Sequence, residues 1–204
     1  MKSDRIALFA TGCVAVLLLS ACGEKEYGSP APAPAPTSAP SSAPATSGTL
    51  PVGNADATAP GSELKVGDRA VVPFKYGTDK NGTVAITVKS IELGPKDDLA
   101  KYGDKAKGMT PVYIRLSVEN VGGTDLAYST VRLRAVGPDG RSTGVIITGE
   151  TPNCQSETAK KDFTRAGATY DTCELQAVKD GNDVGGATFG DGDTYKDDPI
   201  VWKK

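Results

Sequence analysis

The sequence predicts an all-β domain, an antiparallel β-sandwich of seven or eight strands over residues 62–204. Three observations predict it. Apolar and polar residues alternate with period two through most of this stretch. Short strand-like runs recur between glycine-rich turns at the spacing of a sandwich. The cleanest run, Pro111–Asn120 (PVYIRLSVEN), puts Val112, Ile114, Leu116 and Val118 on one face and Tyr113, Arg115, Ser117 and Glu119 on the other. One buried and one wet face is the mark of an antiparallel sheet.

The elements follow in order. Arg69–Tyr76 (RAVVPFKY) and Thr83–Leu93 (TVAITVKSIEL) flank Asp79-Lys80-Asn81-Gly82. Asn-Gly is a strong hairpin signal, because both central turn positions need positive φ. Val84, Ile86 and Val88 share a face, whereas Ile91 and Leu93 change parity, which places a β-bulge near Lys89-Ser90. Asp97–Lys107 (DDLAKYGDKAK) reads as a helical turn kept short by Gly103. After Pro111–Asn120, Val121-Gly122-Gly123 turns the chain. Leu126–Tyr128 and Thr130–Val136 read as strands, and Gly137-Pro138-Asp139-Gly140 makes a tight turn before a strand at Val145–Thr148. Ala168–Val178 (ATYDTCELQAV) alternates around Cys173 and Leu175, and Ile200-Val201-Trp202 closes the domain.

Composition separates this domain from what precedes it. The 204 residues include 24 glycines and 14 prolines, and eight of the prolines fall between Pro30 and Pro60. The excess is local, so a single globule of the whole length is excluded, as is a multi-pass membrane protein. Lys2 and Arg5 precede an uncharged 16-residue run, Ile6–Ala21 (IALFATGCVAVLLLSA). A spanning helix needs about 20 apolar residues, so the run has the layout of a secretory signal. It ends Leu19-Ser20-Ala21-Cys22, which resembles the bacterial lipobox, and Leu19 is bulky for the −3 site of an ordinary cleavage signal. Cleavage before Cys22 would let its thiol take a diacylglyceryl group as a thioether and its new amino group a further acyl chain such as palmitate. Each buried CH₂ adds about 0.8 kcal/mol, and two or more chains hold a protein durably to a bilayer. Gly23 follows the cysteine, so no aspartate retention signal is present.

Residues 1–21 are therefore expected to be a lipoprotein signal peptide, and residues 22–61 a lipidated N-terminus followed by a disordered Pro/Ala/Ser-rich tether. Between Gly23 and Gly61 the large aliphatic residues are Leu50 and Val52. Such a segment cannot bury enough surface to offset its ordering entropy. Its Pro-Ala repeats favour polyproline II at about 3.1 Å per residue, and full extension would span on the order of 100 Å. The expected location is the extracytoplasmic face of a bacterial cell membrane. Cys13 would leave with the signal and Cys22 would be acylated. Cys154 and Cys173 remain, and outside the cytoplasm such a pair reads as a disulfide.

Four stretches carry a family resemblance. Val88-Lys89-Ser90-Ile91-Glu92 looks like the end of the first core strand of a domain of unknown function common in lipoproteins of Gram-positive bacteria. Pro111–Thr124 (PVYIRLSVENVGGT) is similar to that family's long strand ending Glu-Asn before a glycine turn. Arg132-Leu133-Arg134 with Asp139-Gly140 resembles its next hairpin. Arg165-Ala166-Gly167-Ala168-Thr169 before Cys173 resembles its Pro-Gly-Glu-Thr strand, with Arg-Ala in place of the proline and Ala in place of the glutamate. The resemblance spans roughly Gly82–Trp202. It implies an immunoglobulin-like fold related to immunoprotective extracellular antigens of mycobacteria, and no shared activity.

Chemistry-bearing patterns are few. The chain has no histidine, which excludes Ser-His-Asp and Cys-His catalysis and any His-ligated metal. Asp191-Gly192-Asp193 with Asp197-Asp198 superficially resembles a calcium loop, but Tyr195 and Trp202 stand where an EF-hand needs its fifth and twelfth ligands. Asp191–Asp198 reads as a solvated acidic loop. Ser62-Glu63-Leu64-Lys65 matches S-x-x-K without its companion motifs or a helical pattern. Asn81-Gly82-Thr83 fits a glycosylation sequon that the hairpin already explains. Tyr113 and Tyr128 are candidates for exposed contact residues, weighed against sheet packing. Removing residues 1–21 takes the formal charge from −2 to −3, which offers no footprint for nucleic acid and no polybasic patch for lipid headgroups.

The expectation is thus a lipid-anchored, non-catalytic binding or structural module with no cofactor or metal, meeting the membrane through its acyl chains and a protein or cell-wall partner through a sheet face or loops. A small-ligand or calcium carrier, motivated by Asp191–Asp198, and a cell-wall hydrolase are the rival readings.

Overall fold

The computed structural model describes residues 56–143, 145–147 and 149–204. Cys22, the expected signal peptide and most of the expected tether lie outside the described residues. The nine strands among them are β1 (Glu63–Lys65), β2 (Arg69–Tyr76), β3 (Lys80–Leu93), β4 (Met109–Asn120), β5 (Arg134–Val136), β6 (Val145–Ile146), β7 (Thr169–Lys179), β8 (Gly186–Phe189) and β9 (Ile200–Lys203). They form a four-stranded sheet, β1-β9-β8-β5, and a five-stranded sheet, β2-β3-β4-β7-β6. Pairing is antiparallel except between β1 and β9. A one-turn helix, α1 (Gly192–Tyr195), precedes β9, and 3₁₀ turns cover Lys96–Ala106 with a break at Gly103.

The main core is sandwich-like. Val72, Ile86 and Leu116 from the larger sheet and Phe189, Ile200 and Trp202 from the smaller belong to one cluster, each 1 % exposed or less. Burial of such side chains contributes roughly 1.5–3 kcal/mol each. The Trp202 indole Nε1 donates to the Asp68 carbonyl (3.0 Å), so its polar atom is satisfied where it is buried.

The β2–β3 hairpin shows how burial overrides a turn motif. Tyr76 pairs with Lys80, Lys75 with Asn81 and Phe74 with Gly82. The turn is therefore Gly77-Thr78-Asp79, with Gly77 at φ 64°, and Asn81-Gly82 lies inside the strand. Parity explains the correction. The observed register sets Ala70 opposite Ile86 and Val72 opposite Val84. A turn centred on Asn81-Gly82 would slip the pairing by an odd number of residues and put the two apolar faces on opposite sides of the sheet. Gly82 is needed for a different reason: a Cβ there would lie 2.3 Å from Thr124 Oγ1 and 3.0 Å from Leu126 Cδ1. The bulge falls between Val88 and Ser90, as the parity change predicts.

Other elements differ from expectation. Leu126–Tyr128 is a turn, held by Ala127 N–H donating to Asp125 Oδ1 (3.0 Å) and Ser129 Oγ donating to the Leu126 carbonyl (2.7 Å). Of Thr130–Val136 only Arg134–Val136 pairs as a strand. β1 and β8 were not foreseen, β1 because three residues carry no periodicity. β8 begins with a glycine where a Cβ would meet the Trp202 carbonyl at 2.5 Å, and glycine hides strands from a propensity reading.

The second face of β4 is not uniformly wet. Tyr113 is 3 % exposed and packs in a smaller cluster with Leu99 and Ala106 of the 3₁₀ segment and Cys154, Cys173, Leu175 and Ala177. The larger sheet is thus covered on its outer side at the Tyr113 end and open toward Glu119.

Candidate functional site

β7 carries the least expected chemistry in the fold. Its register with β4 sets Thr172 opposite Leu116, Glu174 opposite Ile114 and Gln176 opposite Val112. The three polar side chains therefore occupy the inner face, 6 %, 7 % and 5 % exposed. The alternation in ATYDTCELQAV suggests the reverse, with Cys173 and Leu175 as core. Those two are buried, but in the outer cluster. Both faces of β7 are covered, and period two cannot tell which is which.

Two of the three polar groups have structural work. Thr172 Oγ1 accepts from the Glu157 N–H (2.8 Å). Gln176 acts as a substitute strand: its Oε1 accepts from Ala135 N–H (2.7 Å) and its Nε2 donates to the Leu133 carbonyl (2.6 Å). This is why the chain near Leu133 is extended without belonging to a ladder. Glu174 differs. Its Oε1 is buried without a hydrogen-bond partner among the described residues, and its Oε2 lies 3.8 Å from Arg132 Nη1. Burial pushes its carboxyl above the ordinary range, and the Arg132 charge offsets only part of that.

Glu174 and Gln176 line a half-open cleft of about 300 Å³. One wall is the segment leading into β5. Its period-two alternation buries Val131, Leu133 and Ala135 and turns Arg132 and Arg134 outward. The opposite wall comes from the loops around α1, with Asp191, Lys196 and Pro199, and Ile146 of β6 stands at the rim, 61 % exposed. Among the described residues neither Arg134 nor Lys196 has an ion-pair partner. The cleft combines three cations and the Asp191 carboxylate at its walls, an apolar rim and a buried acid that is unsatisfied among the described residues. Such an arrangement suits binding of a small polar molecule.

The residues singled out in the sequence are placed as follows. Cys22 lies outside the described residues. Cys154 and Cys173 form a disulfide, Cα–Cα 5.3 Å, which fixes the loop after Thr151 against β7. Beside it, Arg115 Nη2 donates to the Asn153 carbonyl (2.9 Å), Asn153 Nδ2 donates to Asp98 Oδ2 (2.8 Å), and the Tyr113 hydroxyl donates to the same oxygen. The Tyr113 and Asn153 hydrogen bonds hold the Asp98 carboxyl below its usual range. Tyr113 is therefore a buried sheet residue, whereas Tyr128 is 62 % exposed on a turn with φ 62°.

Asp191–Asp198 has a structural occupation. Asp191, Asp193, Asp197 and Asp198 are exposed, but Tyr195 is buried and donates from its hydroxyl to the Thr58 carbonyl (2.8 Å). Gly61 N–H donates to the Asp198 carbonyl (2.9 Å). Thr58 and Gly61, expected in the tether, are thus seated on the domain. Among the described residues no group of three Asp, Glu or Cys side chains is arranged to hold a metal ion. Ser62 Oγ donates to the Ala59 carbonyl (2.7 Å), so the Ser62–Lys65 match sits in a turn and strand. Asn81 is exposed on β3. No helix among the described residues is long and apolar enough to cross a membrane.

Arg132, Glu174 and Gln176 were missed as a group. The available signal was weak: three polar residues at i, i+2 and i+4 of a strand otherwise rich in buried types. Comparison of the chain with known protein families, curated proteins and solved structures finds no match.

Proposed function

We propose that this protein is a lipid-anchored, extracytoplasmic lipoprotein of the bacterial envelope whose immunoglobulin-like domain is a non-catalytic binding module. The observation that carries the reading is the Cys154–Cys173 disulfide. These are the two cysteines left once the signal is cleaved and Cys22 is acylated, and paired thiols belong to an oxidising compartment. The Leu19-Ser20-Ala21-Cys22 tetrapeptide supports the anchor, and two mainly antiparallel sheets around one core support the immunoglobulin-like fold. A tether of about 40 residues would hold the domain away from the bilayer toward a protein or cell-wall partner.

Cys22→Ala tests the anchor. The expected result is a shift of the protein from the membrane fraction to the soluble fraction, with loss of acyl-chain labelling. Continued flotation with lipid would overturn it. Crosslinking on intact cells tests the binding role, and recovery of the protein uncrosslinked and monomeric would argue against it.

A further inference from the structure

We infer that the Glu174 cleft binds an α-amino or α-amido carboxylate, that is, a carboxylate with an N–H donor on the adjacent carbon. The inference rests on the binding-module reading and supplies its ligand chemistry. Glu174 Oε1 is enclosed on the inner face of β7, with no donor directed at it among the described residues. An unsatisfied buried carboxylate oxygen is costly to keep, and because the Glu174 side chain lines the cleft, a turn of its carboxyl would offer that oxygen to a donor entering there. The nearest cation does not fill that role, since Arg132 Nη1 stands 3.8 Å from the other oxygen, beyond hydrogen-bond distance.

The walls set the rest of the ligand. Arg132 and Arg134 lie two residues apart on one extended segment and face outward together. Lys196 lies on the opposite wall, and neither Arg134 nor Lys196 is spent on an internal ion pair among the described residues. Three cations against the two carboxylates of Glu174 and Asp191 leave the cleft lining net positive, which favours an anion, and an arginine fork suits a carboxylate. Because Arg132 reaches to within 4 Å of Glu174, the anion and the donor must sit close together on the ligand, as on a single Cα. Ile146 and Pro199 add an apolar surface suited to a small aliphatic side chain. A free amino acid and the C-terminal residue of a peptide both carry this chemistry.

Calorimetric titration of the full chain at neutral pH separates the outcomes, with leucine, N-acetyl-leucine and leucinamide as probes. Binding of leucine alone assigns the cleft to free amino acids, and binding of N-acetyl-leucine assigns it to peptide ends. Leucinamide, which lacks the carboxylate, is expected not to bind. Arg132→Ala, an exposed change, and Glu174→Gln are each expected to weaken the bound probe about tenfold, in line with loss of a charge-assisted hydrogen bond. Absence of heat with leucine and N-acetyl-leucine, equal binding of leucinamide, or unchanged affinity in both variants would overturn the inference. Those failures leave the envelope-binding reading intact, because crosslinking tests that reading through any surface.

Discussion

Glu174 makes a prediction independent of any ligand. Burial raises its carboxyl above the ordinary 4.5. Between the unfolded and folded values the folded state holds more protons than the unfolded state, so stability falls as pH rises through that window. Glu174→Gln removes this dependence. The variant is expected to melt higher than wild type at pH 7, with the difference shrinking toward pH 4. Thermal melts across that range check it, and a pH-independent difference would show that the carboxyl titrates normally. Gly82 gives a second case. Because Thr124 Oγ1 and Leu126 occupy the space of its missing Cβ, Gly82→Ala is expected to destabilise by about 1–3 kcal/mol. If Asn81-Gly82 were the turn, alanine would instead disturb the hairpin and leave the Thr124 loop untouched, which backbone amide exchange can distinguish. Asn120 illustrates what a motif conceals. The Glu-Asn-x-Gly pattern marks a strand end, but nothing in it reveals that Asn120 is fully buried, with Nδ2 donating to the Thr124 and Phe163 carbonyls (2.8 and 3.1 Å) and Oδ1 accepting from Gly123 N–H (2.8 Å).

At the scale of elements, the long strands were legible because one face of each meets the core. β2, β3, β4, β7 and β9 all follow from period-two runs, and the bulge follows from a parity change. What was not legible depends on neighbours distant in sequence. Gln176 replaces a strand with its side chain, and the 3₁₀ turns cover a face that alternation assigns to water. The sheet edge is also read only in three dimensions. The Val71 N–H and carbonyl both bond to Thr58 on the open side of β2 (2.9 and 2.7 Å). Pro73, two residues on, faces the same way, where its missing N–H costs nothing and discourages pairing with another chain. The disulfide bridges a separation of 19 residues. Replacing Cys154 and Cys173 together by serine is expected to destabilise the domain by about 3 kcal/mol on the chain-entropy account. Denaturant titration of the two forms checks it, and an unchanged midpoint would mean that the loop after Thr151 is held by Asn153 and Arg115 alone.

For the whole molecule, the acidic loop matters as a seat for the incoming chain. Tyr195→Phe removes the hydroxyl bond to Thr58 and is expected to lower stability by about 1 kcal/mol. It should also move the first proteolytic cut toward Ser62, as followed by mass spectrometry of a limited digest. A first cut unchanged at or before Thr58 would show that the seat is held by Gly61 and the β2 edge instead. The glutamate cleft shares this loop through Asp191 and Lys196, so a probe titration of Tyr195→Phe reads whether loosening the seat also disturbs the cleft.

The parallel pairing of β1 with β9 has a mechanical consequence. Ser62 and Val66 bracket β1 and bond to Val201 and Lys203, through Val201 N–H to the Ser62 carbonyl (2.9 Å) and Val66 N–H to the Lys203 carbonyl (3.2 Å). The first and last strands run in the same direction with Glu63 opposite Val201 and Lys65 opposite Lys203. A stretching force applied between the residues ahead of Thr58 and the C-terminal end therefore loads these rungs in shear, all at once, whereas tension on an antiparallel hairpin would open them one after another.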